Sequence, residues 1–225
     1  MKRSDVVNKI NSLKGESGHK WVVDEYNSIK PLPRGYVLQY SNYWCAATVS
    51  AVFHSLGYDD LSECSCVMMV KKAKNLGIWQ EDDSYIPKLA DVILYDWEDD
   101  GKGDNKGEPN HIGIVVEVNE AKKKFVVREG NKNNALGNRE MKVNGKCIRG
   151  FITPNYEEEY DMPQIKKGDQ GKAVAIWQLI VGCHPDGIFE DNTLEATKIF
   201  QRDNGLTADG IVGPKTWAKG FDSIN

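Results

Sequence analysis

The chain has 225 residues, of which 40% are hydrophobic and 28% charged, a composition that fits globular domains and excludes a disordered or fibrous chain. A formal net charge of −4 leaves no global positive field that would hold nucleic acid. No run of 18 apolar residues and no signal-peptide pattern is present, so we expect synthesis in a cytoplasm and no membrane insertion.

The five cysteines argue against a disulfide scaffold. Their number is odd and the expected compartment is reducing, so at least one thiol stays free. The motif Cys64-Ser65-Cys66 is too tightly spaced for a usual zinc knuckle. The five are Cys45, Cys64, Cys66, Cys147 and Cys183.

The N-terminal region predicts helices followed by a turn. Val6, Val7, Ile10 and Leu13 recur at helical spacing, a second segment covers residues 21–27, and the prolines and glycine of residues 31–35 indicate the turn.

A buried helix is predicted over residues 44–57, with Cys45 in its first turn and Gly57 at its C-terminal end. The free amides and partial positive charge of a helix N-terminus favour a thiolate, so Cys45 is a candidate nucleophile. The alternative is a small apolar cysteine packed in the core.

Residues 110–118 and 124–131 read as two strands of a hairpin that turns near residues 119–123. Antiparallel pairing would bring His111 opposite residues 129–131, although the register cannot be read. A cysteine hydrolase needs an imidazole to exchange the proton and a third group to orient the ring, which makes His111, Glu129 and Asn131 candidates. His111 could also be an ordinary polar residue at a strand end.

An acidic stretch ending in a proline predicts a linker over residues 157–163, between a domain of residues 1–156 and a smaller one of residues 164–225. Within the smaller domain, residues 186–193 are echoed by residues 209–216. Each copy reads as a turn entering a helix, capped by Asp191 or Asn192 in the first and by Gly213 before Pro214 in the second. Three short helices around one core are expected.

Residues 164–221 resemble the peptidoglycan-binding domain found at the ends of cell-wall hydrolases. Any small helical bundle needs turns and caps, so the resemblance depends on the whole pattern rather than on single residues. The matching segments include Lys167-Gly168-Asp169-Gln170-Gly171, Trp177-Gln178, Asp186-Gly187-Ile188-Phe189, Phe200-Gln201, residues 208–214 and Thr216-Trp217.

Residues 30–156 resemble the CHAP family of cysteine, histidine-dependent amidohydrolases and peptidases, especially phage endolysins. The resemblance implies an α+β, papain-like domain with N-terminal helices on an antiparallel sheet, and a catalytic site of Cys45, His111, Glu129 and Asn131. Leu89-Ala90 replaces the usual Pro-Gly, which we expect to alter a turn. The matching segments are Trp44-Cys45-Ala46, His111-Ile112-Gly113-Ile114-Val115, Glu129-Gly130-Asn131 and residues 31–36, 56–58, 63–66, 77–83 and 91–97.

No cofactor or metal is expected. Residues 36–44 lack the acidic side chains of the calcium loop that some family members have before the nucleophile. The acidic loop 96–105 holds enough oxygen ligands for calcium but does not fit EF-hand spacing.

The resemblances imply a monomeric endolysin that is made in a host cytoplasm and acts on Gram-positive peptidoglycan. N-acetylmuramoyl-L-alanine amidase activity is expected, with a stem-peptide or cross-bridge endopeptidase as the alternative. Gln39 is a weaker candidate oxyanion donor. Two alternative functions remain open: an inactive cell-wall-binding module and a secreted bacterial autolysin.

Overall fold

The computed structural model describes residues 1–82, 84–99, 107–157 and 162–224, and within these ranges it contains seven α-helices and one antiparallel sheet. The chain divides into two compact units, Met1–Glu157 and Glu158–Asn225. Of the expected linker, residues 158–161 lie outside the described residues. None of the helices in the described ranges is long and apolar enough to cross a membrane.

Unit 1 (Met1–Glu157) begins with helical sequence, as expected. Its helices are α1 (Arg3–Ser12), α2 (Gly15–Ser28), α3 (Cys45–His54) and α4 (Cys66–Asn75). The predicted helix over residues 44–57 is confirmed in its core. The helix ends at His54, and in the turn that follows Gly57 adopts a φ of +77° and its N–H donates to the His54 carbonyl (2.8 Å).

The sheet of unit 1 has six strands in the order β1-β6-β2-β3-β4-β5, and every neighbouring pair is antiparallel. The expected combination of helices with an antiparallel sheet is therefore confirmed, and so is the hairpin of β3 and β4. The strands are β1 (Trp79–Gln80), β2 (Val92–Tyr95), β3 (His111–Asn119), β4 (Lys124–Lys132), β5 (Ala135–Lys142) and β6 (Ile148–Ile152).

Helix α3 packs on strands β3 and β4, and a glycine permits the close approach. A Cβ atom on Gly130 would lie 1.9 Å from Thr48 Oγ1 and 3.0 Å from the Trp44 ring, so any larger residue would push β4 away from α3. This approach brings the N-terminus of α3 beside the end of the hairpin.

The turn before β2 contains Ala90 in the left-handed region, with a φ of +65°. Its position is the one at which the CHAP resemblance expects glycine. An L-residue in this conformation costs roughly 1–2 kcal/mol, while the Ala90 N–H donates to the Val115 carbonyl (2.8 Å) and the Tyr156 hydroxyl donates to the Ala90 carbonyl (2.7 Å). The turn is thus held by its neighbours.

Unit 2 (Glu158–Asn225) contains α5 (Lys172–Ile180), α6 (Asp191–Asp203) and α7 (Pro214–Asp222) around Trp177 and Trp217, which confirms the expected three-helix core. Pro214 occupies the first turn of α7, as predicted. The cap predicted for the first copy was wrong. Helix α6 already begins at Asp191, its N-cap is Glu190, and no side chain caps it.

Candidate active site

Cys45 is the first residue of α3 and lies at the edge of the core, with 9% of its surface exposed. The largest influence on the pKa of Cys45 is a hydrogen bond with Cys66, which lowers it. Burial opposes this, but hydrogen bonding and charge interaction with His111, together with the Ala46 amide, leave the pKa of Cys45 well below that of an ordinary thiol. The surroundings of this helix N-terminus thus favour the thiolate form of Cys45.

His111 begins β3, with its ring between Cys45 and Glu129. Its Nε2 lies 3.2 Å from Glu129 Oε2. Burial disfavours the charged ring, but hydrogen bonds and charge interactions with Cys45 and Glu129 outweigh it and raise the pKa of His111 to about 9. The imidazolium is therefore the stable form at neutral pH.

Glu129 is fully buried and is held by a second cation besides His111. Arg139 on β5 donates from Nε to Oε1 (2.6 Å) and from Nη2 to Oε2 (3.0 Å). Although burial raises the pKa of Glu129, its bonds to His111 and Arg139 lower it below the usual range. Thiolate, imidazolium, carboxylate and guanidinium thus alternate in charge through the site.

The side chains of Cys45, His111, Glu129 and Arg139 are called the charged row below. Aromatic rings cover one side of it. The Tyr95 ring stacks on His111 with centroids 5.7 Å apart, and Trp97 stacks on Tyr95 at 4.5 Å. The Arg139 guanidinium lies 4.6 Å from the centre of the Trp97 ring. Trp97 is 41% exposed, so the outer side of this aromatic cover faces solvent.

The remaining two candidates are placed differently. Asn131 is half-buried at a φ of +57°, within the register shift of β4 between Glu129 and Lys132, and among the described contacts none joins it to His111. Glu129 is therefore the group that the structure brings to the ring. Gln39 is exposed and its backbone N–H donates to Asn42 Oδ1 (2.7 Å), so its oxyanion role stays a prediction.

Sequence reasoning did not assign roles to Cys66 and Arg139. Arg139 pairs with Val127 in the β4–β5 ladder and thus reaches Glu129 on the same face, a register that the sequence does not show. For Cys66 the sequence did offer one indication. Ser65 is a good N-cap residue, which would place Cys66 at a helix N-terminus like that of Cys45.

No group of three or more His, Cys, Asp and Glu side chains could hold a metal ion within the described residues. The acidic loop considered for calcium, residues 96–105, lies mainly outside them, since residues 100–106 are not described.

Comparison with known proteins identifies a domain in unit 2. Residues 177–219 match the family model described as "Putative peptidoglycan binding domain". An uncharacterized protein of Kitasatospora aureofaciens ("Uncharacterized protein in bpoA1 3'region") is 42% identical over 64 residues, which are 25% of this chain and 54% of that protein. The chain thus spans about half the length of this relative. Unit 2 contains a domain of the peptidoglycan-binding class.

Two solved structures show weak overall similarity. One is a peptidoglycan-binding protein from Clostridioides difficile in complex with glutamine hydroxamate, with 23% identity, a TM-score of 0.26 and coverage of 60% of this chain and 73% of that one. The other is a periplasmic domain of the EpsAB fusion protein of the Vibrio vulnificus type II secretion system, with 18% identity, a TM-score of 0.28 and coverage of 60% and 58%.

Proposed function

We propose that this protein is a peptidoglycan hydrolase of the phage endolysin type, whose unit 1 is a papain-like CHAP domain with Cys45 as nucleophile. One observation supports this most directly. The His111 ring lies between the Cys45 thiol, whose pKa is low, and the buried Glu129 carboxylate. A core cysteine would not need a charged imidazole beside it, whereas a cysteine nucleophile does.

The reaction is acyl transfer. The Cys45 thiolate attacks the carbonyl carbon of a wall amide, and the backbone N–H of Cys45 helps to stabilise the oxyanion. His111 gives its proton to the departing amine as the C–N bond breaks, leaving a thioester. His111 then takes a proton from water, which attacks the thioester and releases the carboxylic acid and the thiolate. Glu129 orients the ring throughout.

The bond we propose is the N-acetylmuramoyl-L-alanine amide of Gram-positive peptidoglycan, which follows the family resemblance. A stem-peptide or cross-bridge amide would suit the same chemistry. The proposed monomer would act on the wall after synthesis in the host cytoplasm.

The second candidate is a wall-binding module without catalysis. The family match favours it, because residues 177–219 account for peptidoglycan binding and include neither Cys45 nor His111. The charged row of unit 1 would then serve only the fold.

One experiment separates the two candidates. The wild-type chain and Cys45→Ala are compared for clearing of susceptible Gram-positive cells and for co-sedimentation with purified walls. We expect Cys45→Ala to lose lysis by about 10⁴-fold or more, because the covalent step is lost, and to bind walls like the wild type. Cys183→Ala, a half-buried thiol of unit 2, is the matched control and should keep both properties.

Mass spectrometry of the released fragments identifies the bond, since amidase action exposes an N-terminal alanine and endopeptidase action exposes internal termini. Equal lysis by wild type and Cys45→Ala would remove Cys45 as the nucleophile. Wall binding by the wild type without any cleavage would establish the binding module instead.

A further inference from the structure

Cys66 lies beside the proposed nucleophile although it is 21 residues further along the chain. The two sulfur atoms are 4.0 Å apart, a distance suited to an S–H···S contact and about twice that of a disulfide. Both residues are 9% exposed, and each is the first residue of its helix, α3 for Cys45 and α4 for Cys66. Two helix N-termini therefore present two thiols to each other.

The direction of the hydrogen bond follows from the charges around the pair. His111 lies against Cys45, and the imidazolium stabilises a thiolate, which can only accept. Around Cys66, the neighbouring titratable group that acts on the thiol is Cys45 itself. Its hydrogen bond, together with burial, raises the pKa of Cys66 far above the ordinary thiol range. Cys66 therefore keeps its proton and can donate it.

The geometry points to Cys66 as a positioning residue that donates its S–H to the Cys45 sulfur, stabilising the thiolate and holding it for attack. The catalytic consequence rests on the proposed hydrolase function, while the stabilised thiolate can be measured without substrate. In this arrangement Cys45 is held from both sides, by the charged His111 ring and by the neutral Cys66 donor.

The test measures how fast iodoacetamide alkylates Cys45 at each pH, with mass spectrometry of the Cys45 peptide separating it from the other four thiols. Cys66→Ala and Cys66→Val remove the donor, and Val also preserves most of the volume. Cys66→Ser keeps a donor in the form of a hydroxyl. Cys64→Ala, two residues away in the same segment, is the matched control, and near-ultraviolet circular dichroism reports whether each variant is folded.

We expect the inflection of Cys45 alkylation to move to higher pH in Cys66→Ala and Cys66→Val. At a fixed pH below the inflection, alkylation should slow by about tenfold, the effect of one hydrogen bond to a charged group. Cys66→Ser should recover most of the wild-type rate and Cys64→Ala should match the wild type. In hydrolysis, kcat should fall with KM unchanged, because substrate contacts are untouched.

A purely structural role for Cys66 would give a different pattern. If folded Cys66→Ala or Cys66→Val shows the wild-type inflection, or if Cys66→Ser behaves like Ala, the positioning role is overturned while the proposed hydrolase stands. If Cys45 of the wild type alkylates with the pH dependence of an ordinary thiol, both the positioning role and the proposed function fail.

Discussion

Glu129 is the residue on which the charged row depends. An isolated buried carboxylate would cost several kcal/mol of solvation free energy, and two cations offset this through hydrogen bonds to both oxygens. The same bonds fix the carboxylate in one orientation, and the carboxylate fixes His111. Removing one partner should therefore change the protonation of the others rather than only weaken a contact.

The pKa of His111 gives a pH prediction. Its folded value is raised to about 9, so the imidazolium is present below that pH and is lost above it. If unit 1 is the proposed hydrolase, its activity should accordingly fall as the pH rises through about 9. Glu129→Gln removes a group that raises this pKa and leaves Arg139 unpaired nearby, and both changes disfavour the charged ring. The alkaline limb and the NMR titration midpoint of the His111 ring should move to lower pH.

Glu140→Gln is the control for this prediction. Glu140 also lies on the β4–β5 ladder, but it is exposed and pairs with Lys124, so its loss should leave both midpoints in place. A His111 midpoint that is the same in Glu129→Gln as in the wild type would show that Glu129 does not act on the ring.

The sequence predicted those site residues whose positions follow from local patterns of secondary structure. Cys45 follows from a helix start, and the approach of His111 to Glu129 follows from one hairpin with a short turn. The contact of Arg139 with Glu129 could not be predicted from the sequence. It depends on the β4–β5 register, and that register contains a shift between Glu129 and Lys132 that local sequence does not specify. Cys66 needed the packing of α3 against the segment leading into α4, which is a tertiary contact.

At the scale of elements, the fold was readable where hydrophobic periodicity was strong. Helices at the N-terminus, over residues 44–57 and in unit 2 were predicted, as was the β3–β4 hairpin, whereas α4 (Cys66–Asn75) was not. The strand order of the sheet was not predicted either, because β6 inserts between β1 and β2 through long-range pairing. The Glu190 cap was missed because Glu is not a preferred N-cap residue, and Asp191 and Asn192 offered better local chemistry.

The sequence repeat of unit 2 is also a repeat of hydrogen bonds. Gln178 donates to Asp186 Oδ1 (2.8 Å) and to the Ile188 carbonyl (3.0 Å), and accepts from the Gly187 N–H (2.8 Å). In the second copy Gln201 makes the same bonds to Asp209 (3.0 Å), the Ile211 carbonyl (2.9 Å) and the Gly210 N–H (2.9 Å). Each buried glutamine thus fastens one Asp-Gly turn to its helix.

Replacing either glutamine by Met should loosen its own turn. Met fills a similar volume but leaves a buried glycine N–H without a partner, which costs about 1–3 kcal/mol. Hydrogen exchange measured by NMR on the full chain should therefore show the Gly187 amide exchanging roughly ten- to a hundredfold faster in Gln178→Met, at about 1.4 kcal/mol per decade. Gln201→Met should do the same to Gly210.

The two variants are each other's controls, since each leaves the other turn intact. Equal acceleration at Gly187 and Gly210 in both variants would mean that the turns open only when the whole unit unfolds. In that case the glutamines would not fasten the turns separately.

At the scale of the whole molecule, each unit has a core of its own. Unit 1 buries the helix–sheet core around Trp44 and Phe53 and a second cluster on the other face of the sheet around Tyr95 and Phe151, and unit 2 buries Trp177 and Trp217 among its three helices. The Glu157 N–H donates to the Met1 carbonyl (3.1 Å), so the last described residue of unit 1 is tied to its first. Units with separate cores are expected to fold separately.

A chain ending at Glu157 should therefore fold and separate the two proposed activities. With no peptidoglycan-binding domain, it should remain in the supernatant when purified walls are sedimented, whereas we expect the full chain to sediment with them. If unit 1 is the proposed hydrolase, its kcat/KM on a soluble wall-peptide substrate should stay within about twofold of the full chain, because the charged row lies wholly inside the unit. On insoluble walls its rate should drop roughly a hundredfold, since binding by unit 2 no longer raises the local concentration of substrate.

A truncated chain that still sediments with walls would place a wall-binding surface on unit 1. A folded truncated chain that is inactive on the soluble substrate while the full chain is active would show that the site of unit 1 needs residues of unit 2.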